Sequence, residues 1–134
     1  MTEGDLSAFG LAAFLGTAGA THFLKPDFYD PIVPRALPGE ARTWTYVSGA
    51  AELTVAALVA NRSTRWLGSM LAAGLFVAVF PGNMQMAWDW RDKSAREQGA
   101  AYGRLPLQGP MVWWAVRVAK RARASRAVRA PVAM

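Results

Sequence analysis

The sequence predicts an all-α, four-helix transmembrane bundle with both termini cytoplasmic, and three observations lead there. The charges are gathered into short segments, leaving Leu6–Leu24 and Trp66–Trp88 without Asp, Glu, Lys or Arg. Those runs of 19 and 23 residues are long enough to cross a hydrocarbon core about 30 Å thick. The densest basic segment follows the last apolar run directly, which marks the cytoplasmic side. A soluble bundle of buried helices predicts polar stripes at helical spacing instead, whereas here the polar residues collect between the helices.

The first helix is expected at about 6–24. Ala18-Gly19-Ala20 resembles a signal-peptide cleavage site, but the leading "MTEGD" is acidic where a signal is basic, so the helix is expected to be retained. A connector with four prolines, "KPDFYDPIVPRALPGEART", leads to the second helix, at about 44–60 and interrupted only by Glu52. A charged carboxylate near the centre of a lipid-spanning helix costs about 3 kcal/mol on insertion scales, so it is neutralised, paired or set beside water. Thr45, Ser48 and Glu52 share one face of this helix. The third helix, about 66–88, contains "FPGN", where Pro81 removes a backbone donor and predicts a kink beside Asn83. The fourth, about 105–119, crosses if Arg117 snorkels to the headgroups. Small residues at spacing four, Ala12/Gly16/Ala20 and Gly74/Ala78/Gly82, predict close helix contacts. Residues 1–119 thus form a multi-pass cell-membrane domain, and 120–134 a basic cytoplasmic tail that binds anionic lipid or an acidic soluble protein. The tail lacks interleaved aromatics, so nucleic acid is not an expected partner.

With about 1.5 Å of rise per residue, His22, Asn83 and Gln108 fall near the outer ends of their helices. By the same rule Glu52 lies about 12 Å below Trp44, which puts it roughly 9 Å deeper than His22. The polar groups therefore collect in the outer half of the bundle, and Glu52 is the candidate catalytic acid or base. His22 is the sole histidine and there is no cysteine, so His22 and Glu52 offer too few donors for a metal and no metal site is expected. Redox chemistry has to come from a bound cofactor or a partner.

Four separated segments, "GATHFLKPDFYDPIVPRALP", "YVSGAAEL", "FPGNMQMA" and "RLPLQGPMVWWA", resemble the DoxX family of small bacterial membrane proteins, over about Gly16 to Trp114. Gly82 stands where that family is expected to have alanine. The resemblance implies a four-helix membrane protein associated with redox systems, with motif positions at His22, Pro26, Tyr29, Pro34, Glu52, Asn83, Arg104 and Gln108. The expected function is binding of a small molecule, a quinone or a sulfur species, by His22, Tyr29, Ser48, Asn83, Arg104 and Gln108 around Glu52. A noncatalytic membrane adaptor that recruits a soluble redox or detoxification enzyme is the alternative, and proton-coupled transport through Glu52 ranks below both.

Overall fold

The computed structural model describes residues 1–131; the last three residues of the expected tail lie outside them. It is all-helical, with no strand among the described residues. Helix α1 (Glu3–Leu24) opens on a capping box: the Thr2 hydroxyl accepts from the Asp5 N–H and the Asp5 carboxylate accepts from the Thr2 N–H. Its buried positions, Ala8, Leu11, Leu15, Gly19 and His22, recur every three to four residues and face the rest of the molecule. A short helix α2 (Pro26–Tyr29) and a 3₁₀ turn (Asp30–Ile32) follow. Helix α3 (Ala41–Ala60) comes next, three residues earlier than the first apolar residue of its run predicts.

Helix α4 (Arg65–Ala78) and helix α5 (Phe80–Asp89) form one rod broken beside Pro81, where the proline ring offers no donor to the carbonyl one turn back. Helix α6 (Ala95–Arg129) then runs for 35 residues, with Pro106 and Pro110 inside it. The expected fourth helix of 105–119 is therefore too short at both ends. Apolarity marked only the middle of α6, whereas its amphiphilic ends, rich in Ala, Arg and Gln, are good helix formers that need no lipid.

The four rods close a ring, with α1 on α3, α3 on α4, α4 on α6 and α6 on α1. Ion pairs and hydrogen bonds from Asp5 to Arg62 and Arg65, and from Arg126 to the Ser63 carbonyl, set the start of α1, the last turns of α6 and the α3–α4 link at one end of the ring. The connector between α1 and α3 occupies the other end. The core is built largely of small side chains, Ala8, Ala56, Ala72, Ala73, Ala115 and Ala119, around Leu11, Leu15, Val59 and Phe76. Large apolar side chains face outward instead: Phe9 and Phe14 on α1, Leu67, Met70, Leu71 and Val77 on α4, and Trp113 on α6.

The tight helix–helix contacts are not those of the expected glycines: Gly82 packs closely, but on the connector, where an added Cβ would lie 3.0 Å from the Ile32 carbonyl oxygen. A Cβ on Gly74 would meet nothing within 4 Å, whereas one on Gly68 would lie 2.7 Å from the α3 backbone at Leu58 and Val59. On α1 and α3 the contact glycines are Gly19 and Gly49, where added Cβ atoms would come within 3.0 and 3.1 Å of the facing carbonyl oxygens. Helix rotation decides which small residues face a partner, and residue spacing alone leaves it open.

Candidate functional site

The close approach at Gly19 and Gly49 brings His22 against Glu52. His22 Nδ1 lies 2.7 Å from the Ala18 carbonyl oxygen and 3.2 Å from Glu52 Oε2, and both side chains are largely enclosed. A carbonyl only accepts, so Nδ1 carries a proton and directs it to Ala18. Glu52 Oε2 is thereby left buried with no hydrogen bond among the described residues. The same Ala18 carbonyl accepts from the Thr21 hydroxyl at 2.6 Å, which leaves the Tyr29 hydroxyl to donate to Thr21 Oγ1 at 2.6 Å. That relay fixes the Tyr29 ring over the imidazole, centroids 3.7 Å apart and planes 16° from parallel.

The rings continue outward. Phe28 meets Tyr29 edge-on at 5.1 Å, and the Arg104 guanidinium stands 5.5 Å from the Phe28 ring centre. Arg104 Nη1 also points to Met86 Sδ at 3.6 Å, so this side chain of α6 reaches both α5 and the connector. A chain of contacts thus links Arg104, Phe28, Tyr29, His22 and Glu52 across four parts of the fold: α6, the connector, α1 and α3.

The expected 9 Å difference in depth between His22 and Glu52 is overturned by their contact. The depth estimate set the outer ends of α1 and α3 level. In the structure Phe23 stacks on Tyr46 and His22 faces Gly49, so the first turn of α3 stands beyond the end of α1. The other expected site residues divide differently. Asn83 Nδ2 donates to Gln108 Oε1 at 3.3 Å, which pairs α5 with α6, and the buried Gln108 Nε2 has no partner among the described residues. Ser48, half-buried one turn before Glu52, makes no hydrogen bond among the described residues. Thr45, at the head of the same face, donates to Asp30 Oδ1 at 2.7 Å and anchors the connector.

The connector is clamped. Gln85 accepts from the Arg35 N–H at 3.0 Å and donates to the Val33 carbonyl at 2.8 Å. Arg35 forms a two-pronged pair with Asp89 at 3.0 and 3.1 Å, and that carboxylate holds the guanidinium more firmly protonated. Nothing local in the sequence marks Gln85 and Asp89, because their partners in the connector lie fifty or more residues away.

A second polar centre at the opposite end was also missed. Arg65, buried at the start of α4, donates to the Val59 and Ala60 carbonyls at 2.9 and 3.0 Å and to Asp5 Oδ1 at 2.8 Å, while Arg62 reaches Asp5 Oδ2 at 2.7 Å. Arg65 thereby satisfies carbonyls left open at the end of α3. The Thr2-Glu3-Gly4-Asp5 capping pattern and the two arginines of "NRSTR" were the available signals.

Two helical segments, Glu3–Leu24 and Arg65–Asp89, are long and apolar enough to cross a membrane. No curated protein and no solved structure matches the chain. A family model does match, over residues 11–119. That span takes in α1 from its third turn, the His22–Glu52 pair and α6 up to Ala119, and the chain belongs to this family, described as Domain of unknown function (DUF8561).

Proposed function

We propose that the protein is a multi-pass membrane protein of the DoxX type, with both termini cytoplasmic, that binds a small redox-active or sulfur-containing molecule at His22 and Glu52. The membrane reading is supported by the distribution of side chains: alanines make up much of the interior, while many Phe, Leu, Met and Trp side chains stand exposed on the outside. Soluble monomers rarely expose contiguous apolar patches beyond a few hundred Å², whereas helices in lipid associate through small residues and leave large ones to the acyl chains. In this reading α3 and α6 complete the four spans, with Glu52 against His22, whose ring Tyr29 covers.

The single observation that carries the binding site is the unpartnered Glu52 Oε2 beside the His22 ring. A buried carboxylate oxygen with no donor costs free energy that a ligand can recover. Protonated, Glu52 donates to a carbonyl oxygen such as that of a quinone; ionised, it accepts a proton from a ligand hydroxyl or thiol. The Tyr29 and Phe28 rings give a planar ligand an aromatic surface to meet. The test is mass spectrometry of small molecules retained by gently purified protein, wild type against Glu52→Gln. A compound held by wild type and depleted about tenfold or more in the variant, equivalent to about 1.4 kcal/mol, supports the site. Equal retention by both removes Glu52 from it.

A further inference from the structure

We propose that the cleft at the termini end of the ring is a binding site for a phosphate group. It encloses about 100 Å³ between the first turn of α1, the α3–α4 link and the last turns of α6, and five arginines line it against one aspartate. The aspartate is already engaged, because both Asp5 oxygens accept from arginines. Arg65 is engaged too, its Nε and both terminal nitrogens donating within the protein. What remains is the face of α6 that carries Arg121, Ser125 and Arg129 one turn apart, flanked by Arg126 and by the exposed part of Arg62. Arg121 and Arg129 make no ion pair among the described residues, so the cleft holds positive charge that none of those residues neutralises.

Guanidinium groups present planar pairs of donors that match phosphate oxygens, and Ser125 adds a hydroxyl, whereas that of Thr2 is spent on Asp5. Lys120 and Arg123 stand on the same helix outside the lining, so the charge is focused on one side and is not a uniform coat. A phosphate here comes either from an anionic lipid headgroup or from a soluble phosphoester. The ring of apolar rods ends at this level, which suits the first source, and the exposure of Arg126 and Arg129 to solvent suits the second.

The experiment uses the full chain purified in detergent, with inorganic pyrophosphate as the soluble probe. A parallel arm uses nanodiscs of phosphatidylcholine with or without phosphatidic acid. The variants are Arg121→Gln with Arg129→Gln, and Arg123→Gln with Lys120→Gln as a pair of equal charge outside the cleft. Saturable pyrophosphate binding that weakens about tenfold in the first pair and not in the second identifies a soluble phosphate site. A thermal shift seen only with phosphatidic acid, and lost in the first pair alone, identifies a lipid site. Equal losses in both pairs, or no response in either arm, overturn the proposal. All four residues are outside the core, and an unchanged helical spectrum confirms that the variants fold.

Discussion

Replacing Gly49 by alanine puts a Cβ 2.7 Å from that of His22 and 2.8 Å from the Phe23 ring, so α1 and α3 must move apart. Overpacking of this kind costs roughly 1–3 kcal/mol. Gly49→Ala is therefore expected to lower the melting temperature in detergent, whereas Gly74→Ala, which meets open space, leaves it unchanged or raised. A similar result for both would mean that the glycine contact is not what holds His22 on Glu52. Glutamine at Glu52 keeps the shape of the side chain and removes its charge, so its thermal stability stays close to wild type while ligand retention falls. His22→Gln and Asn83→Ala are expected to weaken retention less. Asn83 belongs to the pair with Gln108, and its loss should act mainly through the α5–α6 contact. Glu52 was legible from composition alone, as one carboxylate in an apolar run. Its contact with His22 was not, since that depends on how far α3 projects past α1.

Among the elements, the α4–α5 break has the most direct consequence outside its own helices. Pro81 ends one ladder and starts another, and Gly82 then packs at the Ile32 carbonyl while Gln85 holds Val33 and Arg35. Pro81→Ala restores a donor and favours one straight helix, which turns Gln85 away from the connector. Limited proteolysis within residues 33–40 is expected to speed up in this variant. Cleavage at the wild-type rate would show that the clamp does not depend on the break. "FPGN" announced the interruption in the sequence. Its effect on the connector was hidden because the partner lies fifty residues earlier. For α6 the lesson runs the other way: charge marked Lys120 onward as tail, yet alanine and arginine continue the helix to Arg129. A chain ending at Ala119 is expected to keep its melting temperature, because the helix beyond contributes no buried apolar residue.

At the scale of the whole molecule, the apolar runs revealed the helices and their antiparallel order, because long charge-free segments have few other solutions. Which end carries the built polar centres was only half legible: a lone carboxylate in an apolar run and the sole histidine stood out, while Asp5, Arg62 and Arg65 read as ordinary flanking charges. The central claim is that four rods cross a bilayer with both chain ends inside. The absence of cysteine makes that testable one thiol at a time. Lys25→Cys and Asp92→Cys mark the connector end, Ser63→Cys and Arg123→Cys the termini end, and Gly74→Cys the exposed middle of α4. A membrane-impermeant maleimide added to intact cells should label the first two, and the next two only after permeabilisation. It should leave Gly74→Cys unreacted throughout, because a thiol in lipid does not ionise. Labelling of Gly74→Cys as fast as of the others, or of all five from one side, would contradict the four-span bundle.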